Sequence, residues 1–172
     1  MTGPGGNTDA TKTTSYKVVL PFYGYASFAF FIATALLFLS ISNITTHYFH
    51  PHSLALTHIM ALGWGTMMIL GASHQLVPVL IEGKLFSNKL AFTSFVLAAV
   101  GVPLLCYGFY MFDMGWPAKW GGRFVILAII AYLINVAVSM ARSKHENVHA
   151  VFVFTATLWL LVTALIGLIL VY

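Results

Sequence analysis

Five long apolar segments constrain the fold of this chain more than any other feature of its sequence. They cover residues 19–44, 53–81, 89–112, 121–140 and 147–172, and a transmembrane helix needs roughly 20 mostly apolar residues. The 172 residues are 60% hydrophobic and 7% charged, whereas a soluble domain has about 25% charged residues. No long run alternates apolar and polar residues as membrane-spanning strands do. The sequence therefore predicts an all-α integral membrane bundle of five transmembrane helices.

The segment that precedes the first apolar run has a different composition. Residues 1–15 are rich in Gly, Thr and Ser, which predicts a flexible tail, and residues 16–172 are predicted to form a single transmembrane domain. The first apolar run starts too late and is too long for a cleaved signal peptide. The last apolar run reaches the final residue without a polar tail. We therefore expect either a partner that covers this end or a longer parent protein.

The distribution of Lys and Arg predicts the orientation. With five spans, the tail and the second–third and fourth–fifth connections share one side, and they carry Lys12, Lys17, Lys84, Lys89, Arg142 and Lys144. The other side carries Lys119 and Arg123. The positive-inside rule therefore predicts a cytoplasmic N-terminus, in what we expect to be a bacterial inner membrane. Lipids, and either other membrane subunits or a second copy, are the expected partners. The net charge of +4 is no nucleic-acid signal in so apolar a chain.

Seven histidines are the main chemical feature of the chain, because ionisable residues within a membrane are costly and are functional candidates by default. They fall into an outer group (His47, His50, His52 and His58) and an inner group (His74, His145 and His149). In the outer group, His47, His50 and His52 follow the pattern His-x-x-His-x-His. Three imidazoles at this spacing could gather copper or zinc. Alternatively, these amphipathic side chains simply suit the headgroup boundary.

His58 stands out because it lies one to two turns inside the second span, among apolar neighbours. A neutral imidazole there can bind a metal through one nitrogen while the other donates to a carbonyl. Gly63, Gly65 and Gly71 follow on the same helix, and they would let a flat macrocycle or a neighbouring helix approach the backbone. The alternative is a histidine that bonds a carbonyl across a helix interface.

The stretch that starts at His58 and continues through Gly71 to Leu76-Val77-Pro78 resembles the second helix of haem–copper oxidase subunit I and of nitric oxide reductase catalytic subunits. The resemblance implies that His58 is an axial ligand of a b-type haem, with a role in electron transfer or gas binding. His47, or a residue of another chain, would be the opposite ligand. The family's copper ligands have no counterpart here, so the chain is expected to be a component of an oxidoreductase, and the catalytic residues are left unassigned.

Two other functions compete with haem binding. Residues 145–149 read His-Glu-Asn-Val-His, in which His145 and His149 would share a helix face and bind zinc while Glu146 acts as a general base. This pattern is typical of membrane-embedded zinc metallopeptidases, and Glu82 or His74 could supply the third ligand. In the other alternative, the protein is a non-catalytic subunit whose histidines are interfacial.

His74 occupies a separate position on the second span. It follows His58 by sixteen residues, which on a regular α-helix is about 24 Å along the axis and about 160° around it. The two imidazoles are therefore predicted to point in opposite directions and to belong to different sites. His74 could join an inner metal site with His145 or His149, or it could pair with Gln75 or a lipid headgroup.

Overall fold

The protein is described by a computed structural model over residues 14–41, 47, 49–143 and 148–172, and the regular elements in these ranges are all helical. We number five long helices in chain order. They are α1 (Tyr16–Leu39), α2 (Pro51–Leu80), α3 (Asn88–Tyr110), α4 (Trp116–Ala141) and α5 (Val148–Ile169). Each is long and apolar enough to cross a membrane. The predicted all-α fold with five candidate spans is confirmed, and the composition of these helices indicates an integral membrane protein.

The observed helix ends differ from the predicted ones at several places. α1 begins at Tyr16 and ends at Leu39, whereas the apolar run predicted an end at residue 44; residues 42–46 lie outside the described ranges. α4 begins at Trp116, five residues before its predicted start, because Pro117 had been assigned to the turn. Proline is well tolerated in the first turn of a helix, where its missing N–H would have no helical acceptor.

α4 is the most buried of the five helices, and its closest neighbour is α3. A Cβ atom built on Gly101 of α3 would lie 2.8 Å from Cβ of Phe124 and 2.9 Å from the carbonyl oxygen of Gly121, both on α4. A Cβ atom built on Gly108 of α3 would lie 2.8 Å from the backbone nitrogen of Ala118 on α4. The missing side chains therefore let the two backbones touch at two levels, as small residues do between membrane helices.

The helices differ strongly in how much of their surface is buried. Thirteen of the 26 residues of α4 are buried, but only Ala150 and Thr157 are buried among the 22 residues of α5. The largest buried cluster joins α1, α2 and α4 through Phe22, Met67 and Tyr132, among others. α5 is thus held against the bundle along a narrow strip, and most of its apolar surface faces outward.

The connection between α2 and α3 is fixed to α4 by polar bonds, at the end of the bundle away from His58. The buried amide of Asn135 accepts from the backbone N–H of Ser87 at 3.0 Å and donates to its carbonyl oxygen at 3.1 Å. The hydroxyl of Ser139 accepts from the backbone N–H of Phe86 at 2.9 Å. The N–H groups of Phe86 and Ser87, just before α3 begins, have no acceptor in the helix, and these bonds satisfy them.

α2 is not a regular α-helix along its whole length. Residues Ile59–Thr66 form a π-helical segment directly after His58, with hydrogen bonds to the fifth rather than the fourth residue and more residues per turn. Gly63 lies within it, and a Cβ there would be 3.0 Å from Cβ of Ala29 on α1. The segment therefore changes the angle about the helix axis between the N-terminal and C-terminal halves of α2, and it keeps its contact with α1.

Candidate functional site

His58 is the residue around which the best-formed candidate site is built. Its Nδ1 atom lies 2.8 Å from the carbonyl oxygen of Leu54, one turn earlier on α2. A carbonyl can only accept, so Nδ1 carries the proton and Nε2 keeps its lone pair. The ring packs against Phe109 of α3 at a centroid distance of 4.3 Å. A histidine that donates one N–H to a carbonyl while its other nitrogen is left for a ligand is the usual arrangement of a metal-binding imidazole.

The half-buried His58 ring borders a cavity of about 250 Å³ between α2, α3, α4 and α5, which we call the His58 cavity. α2 and α3 line it with Thr57, His58, Ala61, Leu62, Leu105 and Phe109, whereas α4 and the C-terminal part of the chain contribute Gly122, Val125, Leu160, Thr163, Ala164, Gly167, Leu168 and Val171. Of these lining residues, His58 alone carries a side-chain nitrogen. The two threonine hydroxyls donate to carbonyls of their own helices, those of Ser53 and Trp159. The cavity is therefore apolar, with one imidazole at its wall.

His74 has the same local bonding but lies in a closed environment. It is fully buried, its Nδ1 atom is 2.7 Å from the carbonyl oxygen of Leu70, and its ring lies 5.2 Å from Phe22 and 5.0 Å from Tyr132. Its Nε2 atom is buried and has no hydrogen-bond partner within the described ranges. The predicted pairing with Gln75 is wrong, because the Gln75 amide oxygen instead accepts from the hydroxyl of Tyr23 at 3.2 Å.

The predicted opposition of His58 and His74 depended on regular α-helical winding between them, which the structure does not have. The predicted angle of about 160° assumed a continuous α-helix, but eight of the residues between His58 and His74 are π-helical. The His58 ring packs against Phe109 of α3, whereas the His74 ring packs against Phe22 of α1 and Tyr132 of α4. Their separation along α2 still places them at different depths, so they belong to different sites as predicted.

His47 and His50 make local hydrogen bonds before and at the start of α2, whereas His52 contacts the end of α1 and α3. The Nδ1 atom of His50 accepts from the backbone N–H of His52 at 3.3 Å and so caps α2. The Nδ1 atom of His52 lies 2.9 Å from the hydroxyl of Ser40, and its ring stacks on Tyr110 with centroids 4.7 Å apart. His47 is exposed, and its Nδ1 atom accepts from the backbone N–H of Phe49 at 3.1 Å. His47 is not among the residues that line the His58 cavity.

The described ranges contain no group of three or more His, Cys, Asp or Glu side chains placed to hold a metal ion. The structure therefore does not assemble His47, His50 and His52 into one site. His145 and Glu146 lie outside the described residues. His149 is exposed near the start of α5, and its part in a zinc site stays a prediction.

A cationic cluster lies beside the His58 cavity, and the sequence did not predict it as part of a site. The Nζ atom of Lys119 lies 4.6 Å above the ring of Tyr172, and the guanidinium carbon of Arg123 lies 4.9 Å from the ring of Trp120. The guanidinium also donates to the hydroxyl of Tyr172. We call Lys119 and Arg123 the α4 cation pair. Their spacing of four residues places them on one face of α4, and this was the signal available in the sequence.

Comparison of the chain with protein-family models, with curated proteins and with solved structures found no match.

Proposed function

We propose that this protein is a haem-binding membrane protein of the respiratory type, in which His58 is an axial ligand of a b-type haem. The observation that carries the proposal is the hydrogen bond from Nδ1 of His58 to the carbonyl oxygen of Leu54. It leaves Nε2 as the ligand nitrogen of an imidazole that borders an apolar cavity. The resemblance of the stretch after His58 to the second helix of haem–copper oxidases supports the same role.

The residues around His58 fit a haem in chemistry, but the cavity that they line is too small to enclose one as it stands in the structure. The cavity of about 250 Å³ is smaller than the roughly 300–1,000 Å³ sites that enclose drug-sized ligands. Its α5 wall includes Ala164 and Gly167, and a Cβ atom built on Gly167 would meet nothing within 4 Å. Since α5 buries only two of its residues, an outward movement of this helix disturbs little packing. A bound haem would supply reversible one-electron chemistry at its iron, and the surrounding apolar side chains would exclude water.

The second axial position is left to another residue. His47 remains the candidate within the chain, and it would have to approach the cavity from its exposed place before α2. A residue of a membrane partner, or of a second copy of this chain, is the other candidate. Without a second ligand, the open position would bind a small gas molecule. The proposed setting is a bacterial inner membrane with the N-terminus in the cytoplasm.

The test is the absorption spectrum of the full chain, produced in haem-sufficient cells and purified in detergent. We expect a Soret band that is lost in His58→Ala and retained in His74→Ala, the matched control on the same helix. His47→Ala should shift the band without abolishing it if His47 is the opposite ligand. A colourless wild-type protein that also fails to take up added haem would contradict the proposal, as would an unchanged band in a folded His58→Ala variant.

A further inference from the structure

We infer that a cleft between the α2–α3 connection and the end of α4 binds the phosphodiester headgroup of an anionic phospholipid. The cleft has a volume of about 380 Å³ and lies at the end of the bundle away from His58. We call it the Lys84 cleft. Its cationic side chains are those of Lys84 and Arg142, and it is otherwise lined by Ile81, Gly83, Leu85, Phe86, Ser139 and Ser143. The inference rests on the membrane-spanning helices and is independent of haem binding at His58.

The backbone that carries Lys84 is held by hydrogen bonds on both sides. Where α2 ends, Glu82 takes the left-handed conformation with a φ of 48°, and the N–H of Gly83 donates to the carbonyl oxygen of Pro78 at 3.0 Å. This is the Schellman arrangement, which closes a helix and turns the chain away from its axis. Two residues after Lys84, the backbone N–H donates to the hydroxyl of Ser139 on α4 at 2.9 Å. The lysine therefore stands on a fixed turn beside α4.

The end of α4 supplies the opposite wall of the Lys84 cleft. The hydroxyl of Ser143 donates to the carbonyl oxygen of Ile81 at 2.8 Å and joins the residue pair after α4 to the end of α2. The guanidinium carbon of Arg142 lies 4.5 Å from the ring centroid of Phe86. A guanidinium on an aromatic face keeps its N–H groups in its own plane, where they can donate to an oxyanion. The packing on Phe86 thus orients the arginine without using its donors.

The charges that line the Lys84 cleft have one sign. Lys84 and Arg142 are both exposed, and no carboxylate of a described residue lines the cleft. Glu82, the one acidic residue between α2 and α3 in the sequence, is not among the lining residues. Two like charges on one cleft repel each other, and an anion between them offsets this repulsion. A phosphodiester has two unesterified oxygens, so it can accept from an arginine and a lysine together.

The rest of the lining favours a lipid as the source of this phosphate. Ile81, Leu85 and Phe86 give the Lys84 cleft an apolar part. The cleft also lies where α2 and α4 end, which in a membrane-spanning bundle is the level of the lipid headgroups. Basic clefts between helices at this level bind the headgroups of anionic lipids. A phospholipid places its charge at the two cations and its glycerol and upper acyl chains against the apolar side chains, whereas inorganic phosphate uses the cations alone.

The experiment compares two lipids that share their acyl chains and differ in net charge. The delipidated full chain in nonionic detergent is titrated with dioctanoyl phosphatidylglycerol and with dioctanoyl phosphatidylcholine, and binding is followed by microscale thermophoresis. The wild type should bind phosphatidylglycerol about tenfold more tightly. Lys84→Gln/Arg142→Gln should bind both lipids equally, whereas Lys84→Arg/Arg142→Lys keeps both charges and should keep the preference.

The matched control is Lys17→Gln/Lys89→Gln. It removes two exposed cations from the same end of the bundle, and neither lines the Lys84 cleft. This variant should keep the preference for phosphatidylglycerol, and its loss here would mean a general attraction to positive charge and would overturn the inference. Equal binding of both lipids by the wild type would overturn it too, as would a preference that survives in Lys84→Gln/Arg142→Gln.

Inorganic phosphate separates the two sources of the ligand. In large molar excess over the lipid, and against chloride at equal ionic strength, it should leave the binding of phosphatidylglycerol unchanged. Displacement of the lipid by phosphate would show a site for the free ion, and the assignment to a phospholipid would be wrong. The haem content of the protein enters none of these measurements, so their failure leaves the proposed function untouched.

Discussion

The hydroxyl of Thr14 donates a hydrogen bond of 2.5 Å to the carbonyl oxygen of His74, sixty residues away. In a regular helix, the carbonyl of His74 would accept from the N–H of the residue four positions later. That residue is Pro78, which has no N–H. Pro78 lies inside α2, so the carbonyl of His74 needs a partner from elsewhere. The residue that supplies it lies just before α1, and the bond ties the start of the first span to the inner half of α2.

Removal of this hydroxyl should destabilise the bundle only while Pro78 is present. We expect Thr14→Val to lower the free energy of unfolding in detergent by about 1 kcal/mol, the typical net value of one hydrogen bond. In a Pro78→Ala background, the new N–H satisfies the His74 carbonyl, and the same substitution should cost much less. Thr34→Val is the matched control, because Thr34 is exposed and donates within its own helix to Phe30. Equal costs of Thr14→Val in both backgrounds would refute the role of Pro78.

The contact between α3 and α4 should not tolerate a methyl group. At Gly101, an added Cβ would lie 2.9 Å from backbone atoms of Gly121 and Val125, which cannot move aside as a flexible side chain would. We expect Gly101→Ala to cost about 1–3 kcal/mol through overpacking, measured by thermal unfolding in detergent. Gly24→Ala is the control, because a Cβ there meets nothing within 4 Å and alanine favours helix. A neutral Gly101→Ala would show that the two helices are not in backbone contact.

Locking α5 onto α4 should block haem uptake. A Cβ atom on Gly122 would lie 3.9 Å from Cγ of Leu168, a spacing that a small shift converts into a disulfide. In a Cys106→Ala background, Gly122→Cys/Leu168→Cys should bind haem when reduced and much more weakly when oxidised, because the cavity cannot widen. Each single cysteine variant should bind equally under both conditions. Unchanged uptake by the oxidised pair would mean that the ligand enters without moving α5.

Cysteine labelling in intact cells should report the orientation. Lys84 lies between α2 and α3 and Met111 between α3 and α4, and both are exposed. In the Cys106→Ala background, a membrane-impermeant maleimide should label Met111→Cys in intact cells and Lys84→Cys only after permeabilisation. The excess of Lys and Arg on the Lys84 side is the reason for this expectation. The reversed pattern would put His58 at the cytoplasmic boundary and contradict the proposed topology.

Sequence reasoning was most successful where the pattern is long and the physical constraint is strong. Apolar runs long enough to cross a bilayer predicted the five spans, because each segment in lipid must satisfy its backbone hydrogen bonds internally and therefore forms a helix. Sequence reasoning missed the winding of α2 between His58 and His74, because nothing in the sequence of Ile59–Thr66 indicates that hydrogen bonds there reach to the fifth residue. Gly63 and Gly65 indicated only that backbones approach closely there. That irregularity decides where the His58 imidazole points.

The anchoring contacts were difficult to predict for a related reason. The pairing of Asn135 with Ser87 joins residues 48 apart in the sequence, and such a bond depends on helix packing that periodicity does not specify. Lys119 and Arg123 were recognised for their charge and used for topology. Their position beside the cavity emerged only with the packing of α4 against the C-terminal part of the chain. His145 and Glu146 lie outside the described ranges, so the zinc site remains a prediction from the sequence.

The π-helical segment makes the azimuth of His58 depend on the number of residues in Ile59–Thr66 rather than on their identity. Deleting one residue there and restoring ordinary helical winding would change the angle between the two halves of α2 about the helix axis. The imidazole would then swing out of register with the cavity, while His74 and its aromatic neighbours kept their places. A change of length, with no ligand residue altered, would be enough to disconnect the site.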